Sequence, residues 1–243
     1  MNPILVIPAR MASMRLPGKV LADIAGRPMI LRVWQQAMAA ALGPVVVAAA
    51  QAEIAEVIRD AGGQAVLTDP NLPSGSDRVF AALAAIDPQG RHDVVVNLQG
   101  DLPALAPDDI RKVVAALAGS DMATLAAQIT DHAERDNPAV VKAVVAWDAD
   151  GKKGRALYFT RAAAPSGDGA LFHHVGIYAF TRGALARFVA LPPSPLERRE
   201  KLEQLRALEA HMSIAVARVD SVPLSVDTPA DLERANRLLK SKP

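Results

Sequence analysis

Polar and apolar positions along this chain follow two different periods. Short apolar runs at 4–7, 45–48 and 94–98, the last interrupted only by Asn97, are bounded by turn-forming residues. Runs of that kind predict strands buried on both faces. A further short strand is predicted at 64–67. The stretches between have helical spacing. Over 28–41, Met29, Ile30, Val33, Trp34 and Met38 share one broad face. A second helix is predicted over 52–61, stopped by Gly62-Gly63. A third covers 76–86, with Ser74 and Ser76 both able to cap it. A fourth opens at Pro107-Asp108-Asp109 and runs to position 118.

Beyond that point the pattern is less regular. Strands are predicted at 140–145, 156–159, 174–180 and 214–219. A long helix is expected after Pro193-Ser194-Pro195, with the charged run from Glu197 to Glu203 as its solvated face. Asp227-Thr228-Pro229 marks the start of a last helix, because proline suits the first helical turn. Ser166-Gly167-Asp168-Gly169 is the candidate mobile loop. Alternating strands and helices predict an α/β fold with a mainly parallel central sheet covered by helices on both faces. Ligands of such sheets sit beyond the carboxyl ends of the strands. That directs attention to the loops at 8–19 and 99–101.

Composition narrows the picture. The 243 residues are 51% hydrophobic, enough for a large core, and disorder is excluded as the dominant state. Net charge is +1, from 27 basic and 26 acidic residues, so nothing draws the whole chain to nucleic acid or to an anionic membrane. Electrostatic function must then be local. Cysteine is absent, which rules out disulfides and thiolate metal sites. No apolar run approaches the roughly 20 residues that span a bilayer, and Met1-Asn2-Pro3 does not open a signal peptide. A soluble cytoplasmic protein is expected, with neither nucleic acid nor membrane insertion.

Candidate chemistry begins directly after the first strand. Arg10, Arg15 and Lys19 lie within ten positions, in a loop containing Pro17-Gly18. A strand that opens into a basic, glycine-containing turn is a common phosphate holder in α/β proteins. The spacing is not that of a P-loop. The arginines offer bidentate donors and Lys19 a point charge. Asp101 ends the run Asn97-Leu98-Gln99-Gly100-Asp101 and is either a turn former or a magnesium ligand. Asp227 is either a helix cap or a second ligand. The segment Ser74-Gly75-Ser76-Asp77-Arg78 is either a cap and turn or a close backbone approach to a nucleobase. His173 and His174 are adjacent on a strand and face opposite ways, so one packed and one exposed histidine is favoured over a shared metal.

Taken together, these motifs resemble the CMP-Kdo synthetase (3-deoxy-manno-octulosonate cytidylyltransferase) family, where Kdo is 3-deoxy-manno-octulosonate. The likeness runs from Ile7-Pro8-Ala9-Arg10, Ser13 and Arg15-Leu16-Pro17-Gly18-Lys19 through Ser74–Arg78 and Gln99-Gly100-Asp101. It resumes at Ala156–Arg161, His174-Val175-Gly176-Ile177-Tyr178, Pro193–Glu197, Leu202-Glu203-Gln204-Leu205-Arg206 and Val226–Pro229. The resemblance implies a Rossmann-like, GT-A-like nucleotidyltransferase fold in one domain. Its nucleotide-binding core would cover 1–130, a smaller sugar-binding and dimerisation portion 131–225, and 226–243 would return to the core. It implies a cytoplasmic homodimer, with Mg2+ as cofactor, that transfers CMP from CTP to Kdo with release of pyrophosphate, for lipopolysaccharide biosynthesis.

The resemblance also assigns roles. Arg10, Arg15 and Lys19 would hold the triphosphate, with Ser13, Ser74, Gly75, Ser76 and Arg78 near the nucleotide. Asp101 and Asp227 would bind the metal, and Lys19, Arg15, Asp101 and Asp227 would form the catalytic group. Gln99, Arg161, His174, Tyr178, Glu203 and Gln204 would form the sugar side. The chain departs from the family pattern at Ala49-Ala50, where Thr-Asp is expected, and at Leu102-Pro103, where many relatives have Glu-Pro. Three alternatives compete. One is a cytidylyltransferase for a related acidic sugar, of 8-amino-Kdo or sialic acid type. Another is a metal-dependent glycosyltransferase, which would need paired acids where Gln99-Gly100-Asp101 supplies one. The third is a nucleotide binder without turnover.

Overall fold

Residues 1–13 and 15–240 are described by the computed structural model. The chain divides into two units, Met1–Arg111 together with the stretch from Pro223 onward, and Lys112–Val222. In the first unit β1 (Pro3–Ala9) is followed by a small antiparallel ribbon, β2 (Asp23–Ile24) with β3 (Arg27–Pro28), and then by β4 (Val45–Ala49), β5 (Gln64–Leu67) and β6 (Val94–Leu98). The sheet order is β5-β4-β1-β6 and every pairing is parallel. Leu5 stands between Val45 on one side and Val96 on the other. Leu5, Val6, Ile7, Val46, Val47, Val95 and Val96 are fully buried. Each such aliphatic side chain contributes roughly 1.5–3 kcal/mol.

Helices α1 (Met29–Ala39), α2 (Ala52–Asp60), α3 (Gly75–Ile86) and α4 (Pro107–Ala116) alternate with these strands, as the periodicity requires. Helix α1 buries Met29, Ile30, Val33 and Ala37, and α2 buries Ile54, Ala55 and Ile58. The predicted stop after α2 is made by backbone bonds from Gly62 to Arg59 and from Gly63 to Ile58, both 2.8 Å. Of the two candidate caps of α3, Ser74 does the work: its Oγ accepts from Asp77 N at 3.2 Å.

The second unit contains β7 (Met122–Gln128), α5 (His132–Arg135), β8 (Lys142–Trp147), β9 (Lys153–Thr160), β10 (Phe172–Thr181), α6 (Arg182–Ala190), α7 (Pro195–Glu200), α8 (Leu205–Glu209) and β11 (Ile214–Val219). Its strands run in the order β10-β7-β11-β9-β8, and β8 also meets β10 where His173 faces Lys142. Only the β11–β7 pairing of this unit is parallel among the described ladders. The chain then returns to the first unit as α9 (Pro229–Lys240). The molecule is thus an α/β protein, parallel in one unit and mixed in the other. Among the described residues no helix is long and apolar enough to cross a membrane.

Two differences from the sequence expectation stand out. The single long helix after Pro193 is two short ones. Lys201 takes a left-handed conformation, φ 57°, and ends α7. The turn that follows brings Arg206 back onto Glu197, bonded through Nε at 2.8 Å and Nη2 at 2.5 Å, so part of the supposed solvated face is an internal ion pair. Strand β7 (MATLAAQ) and helix α6 carried no periodic signal. Alanine-rich β7 is a strand because its neighbours β10 and β11 supply its ladders.

Candidate functional site

The basic loop begins where β1 ends. Met11 N donates to Gln51 Oε1 at 3.0 Å, and Gly18 N returns to Met11 O at 3.0 Å. Gly18 has φ 69°, a left-handed backbone that glycine adopts without strain, and it starts the short 3-10 turn Lys19–Leu21. The closed loop delivers one side chain with particular effect. Lys19 Nζ lies 3.0 Å from Asp101 Oδ2, 2.9 Å from Asp227 Oδ1 and 3.2 Å from Val226 O. Arg15 Nη2 lies 3.0 Å from the same Asp227 oxygen. Burial disfavours the Lys19 charge, yet the Asp101 and Asp227 carboxylates outweigh it, and its pKa rises.

The two acids come from opposite ends of the chain. Asp101 follows β6 through Gly100, where a Cβ would lie 3.2 Å from Pro8 O, so the backbone at this point runs tight against β1. Asp227 arrives on the returning segment. Val226 is buried with Ile24, Met29 and Ala235, and its N–H bonds Asp101 O at 3.0 Å. Helix α9 is capped by Thr228, whose Oγ1 accepts from Asp231 N at 3.2 Å. Asp231 Oδ2 accepts in return from Thr228 Oγ1 at 2.7 Å and from the Thr228 and Asp227 amides. The Asp227 carboxylate is therefore not used as the cap and faces two cations.

A cavity of about 680 Å³ opens on these groups. Arg10, Ser13, Arg15, Lys19, Ser74, Gly75, Arg78, Gln99, Asp101 and Asp227 all line it. Ser76 does not. It is buried and accepts from Asn97 Nδ2 at 3.3 Å, a core role. Arg78 is buried beneath the cavity wall, with Nη1 bonded to Thr68 Oγ1 at 2.6 Å and Asp69 O at 3.0 Å. Burial first, then Arg10, lowers its pKa. Thr68 Oγ1 in turn bonds Ala49 O at 3.1 Å. Where the family pattern expects Thr-Asp at 49–50, the nearby arginine is satisfied by a hydroxyl and backbone carbonyls. Gln99 Nε2 bonds Asn97 Oδ1 at 3.0 Å.

The remaining sugar-side candidates lie in the second unit. Arg161 follows β9, with Nε 2.8 Å from Glu200 O and Nη1 2.9 Å from Pro138 O. His174 on β10 is buried, and its Nε2 lies 3.0 Å from Thr124 Oγ1. That hydroxyl is also 2.8 Å from Ile177 O and 3.1 Å from Val175 O. A hydroxyl proton directed at a carbonyl leaves its oxygen to accept, so the pattern assigns the Nε2–H tautomer to His174. Burial, and then His173, pushes the His174 pKa down to about 3, which keeps the ring neutral.

His173 points away, with Nδ1 3.5 Å from Glu134. The packed-histidine expectation holds for His174, whereas His173 is only partly exposed. Tyr178 packs 5.6 Å from the His174 ring, and its phenol pKa is raised by burial and by Glu203. Gln204 is buried, and its Nε2 meets no acceptor among the described residues. Sequence reasoning missed Gln51, Thr68 and Thr228. Only Thr228 left a signal, in the spacing Thr228-Pro229-Ala230-Asp231 of a reciprocal cap.

Comparison with known proteins adds a separate finding. The sequence profile of the cytidylyltransferase family matches residues 4–214. A 3-deoxy-manno-octulosonate cytidylyltransferase of Parvibaculum lavamentivorans is 64% identical over 240 residues, 98% of this chain and 93% of that protein. Its counterpart in Paramagnetospirillum magneticum is 58% identical over 243 residues, 99% of each. The solved structure of a CMP:2-keto-3-deoxy-manno-octonic acid synthetase complexed with CTP superposes with a TM-score of 0.92, at 35% identity and with complete coverage of both chains. The 4-diphosphocytidyl-2C-methyl-D-erythritol synthase of Anaerococcus prevotii shares the fold, at a TM-score of 0.66, 15% identity and 98% coverage of each.

Proposed function

We propose a division of labour among the residues of this chain from the premise that it belongs to the cytidylyltransferases, among the 3-deoxy-manno-octulosonate enzymes. It transfers CMP from CTP to Kdo and releases pyrophosphate. The observation that carries the assignment of residues is the meeting of Lys19, Asp101 and Asp227 within 3.0 Å at the wall of the 680 Å³ cavity.

In this reading the first unit is a Rossmann-like nucleotide holder. Arg10, Arg15 and Lys19 take the triphosphate, and Ser13, Ser74, Gly75 and Arg78 line the nucleotide. Catalysis is positioning and charge neutralisation. The anomeric hydroxyl of Kdo attacks the α-phosphorus, the bond to the bridging oxygen breaks, and pyrophosphate leaves with its charge taken up by the cations. Arg161 is the donor for the Kdo carboxylate, and the motif resemblance assigns Gln99 to the sugar side as well. Arg161 Nη2 meets no acceptor among the described residues, which supports that role. His174, Tyr178, Glu203 and Gln204 complete the sugar side, and the unpartnered Gln204 amide is a donor reserved for a ligand.

The donor set suits Mg2+. Two carboxylates converge on one point, now held by the Lys19 ammonium, and Mg2+ takes one or two carboxylates plus substrate phosphates. Among the described residues no group of three or more His, Cys, Asp or Glu side chains comes together, so an all-protein cage is absent. Asp101 and Asp227 would hold the ion, which when bound would neutralise phosphate charge and acidify the attacking hydroxyl. The motif resemblance carries the homodimer and the cytoplasmic setting as parts of the same reading.

The direct test is pyrophosphate release with CTP, Kdo and Mg2+ present, and with each omitted in turn. Release is expected only with all three. Asp101→Asn is expected to abolish release while leaving the circular dichroism spectrum unchanged. Full activity of that variant would remove Asp101 from the mechanism.

A further inference from the structure

We propose that Glu200 is a positioning residue for sugar recognition, fastening Arg161 to the turn that carries Glu203 and Gln204. The proposal rests on the reading of Arg161 as a sugar-side cation. Glu200 is the last residue of α7, one position before the left-handed Lys201 that ends the helix. Its carboxylate gathers the end of β9. Thr160 Oγ1 donates to Oε1 at 2.8 Å, and Arg161 N donates to Oε2 at 3.0 Å. Arg161 Nε donates to the Glu200 carbonyl at 2.8 Å. Burial first, then the Glu200 carboxylate nearby, raises the pKa of the Tyr158 phenol. One residue thus receives three bonds from two adjacent positions, 160 and 161.

The consequence is geometric. The guanidinium is held at Nε by Glu200 and at Nη1 by Pro138 O, 2.9 Å away, so its plane is fixed. The far side of that clasp is itself tied down. Buried Lys142 donates to Asn137 O at 2.7 Å and Val140 O at 2.8 Å, fixing the loop that presents Pro138. On the near side, Glu203 and Gln204 follow Glu200 within one turn, and Gln204 starts α8. Loss of the Glu200 carboxylate leaves the carbonyl bond to Arg161 Nε in place but frees Thr160 Oγ1 and Arg161 N, so the backbone that carries the guanidinium loses its fix to the end of α7 and to the Glu203–Gln204 turn that follows. A planar guanidinium recognises a carboxylate only in a narrow range of orientations, so loss of its anchor acts on acid-sugar affinity rather than on nucleotide affinity.

The test separates the KM for Kdo from the KM for CTP in Glu200→Ala, Glu200→Gln and Arg161→Lys, with the melting temperature of each variant recorded. Glutamine can still accept from Arg161 N and can donate to the Thr160 hydroxyl, so it should rescue. Alanine should raise the KM for Kdo about tenfold with the KM for CTP within about twofold, and glutamine should hold both within about threefold. Should Glu200→Ala fail to fold, Glu200→Asp, which keeps the charge but shortens the reach, should show the alanine pattern. An unchanged KM for Kdo in the alanine and aspartate variants, with Arg161→Lys raised, overturns the role of Glu200 and spares that of Arg161. Parallel loss of affinity for both substrates marks a general structural role and also overturns it. An unchanged KM for Kdo in Arg161→Lys removes Arg161 from the sugar side, and the proposal with it.

Discussion

At the scale of single residues, the site is decided by what each acid is not required to do. Asp227 precedes a helix and has the residue type of a cap, but Thr228 and Asp231 cap each other and release it to face Lys19 and Arg15. Lys19 is partly buried between two carboxylates, so its charge is stabilised in place rather than by water. Lys19→Met should therefore lower kcat by about 10²–10³, the usual cost of one preorganised electrostatic donor. Steady-state kinetics at saturating CTP would check this, and a loss below about tenfold would mean that Lys19 serves the fold alone. The residue types and their places after strands were legible in the sequence. That Lys19, Asp101 and Asp227 meet was not, because they are separated by 82 and 208 positions and no local pattern spans that distance.

At the scale of elements, local chemistry wrote most of the boundaries. Strands at 45–48, 64–67 and 94–98 and the stop at Gly62-Gly63 follow from apolar runs and terminators. The failure came at α7 and α8, where a charged run with helical composition is broken at Lys201. Ser194 caps α7 in a reciprocal box with Glu197, and its hydroxyl also bonds Glu209 on α8. Ser194→Ala should cost about 1–2 kcal/mol, more than an isolated cap of about 1 kcal/mol, because it cuts a tie between two helices. Denaturant unfolding would measure it, and a loss below about 0.5 kcal/mol would show that the Glu197–Arg206 pair holds the turn unaided. Helix composition indicated that something helical follows Pro193. The break was invisible because it is stabilised by Arg206 folding back onto Glu197, a contact made only in the folded chain.

At the scale of the whole molecule, stability is tied to pH through histidine. His174 has a folded pKa of about 3, against about 6.5 when unfolded. Between those values the unfolded chain takes up a proton that the folded chain refuses. Stability from this group is therefore fully present above pH 6.5 and is lost as pH falls, by up to about 1.4 kcal/mol per pH unit. Burial lowers His173 as well, so the two act in the same direction. Melting temperatures from pH 7.5 to 4.5 should fall, with a shallower slope in His174→Gln. An identical slope in that variant would exclude His174 as the source. The sequence by itself determined the α/β class, the parallel strands of the first unit and the list of charged residues available for chemistry, because periodicity and turn residues act over a few positions. Only the tertiary structure decided which acid is released from capping, which charges share a cavity and which glutamate fastens Arg161. Those outcomes depend on burial and on partners brought from distant parts of the chain, and a linear pattern contains neither.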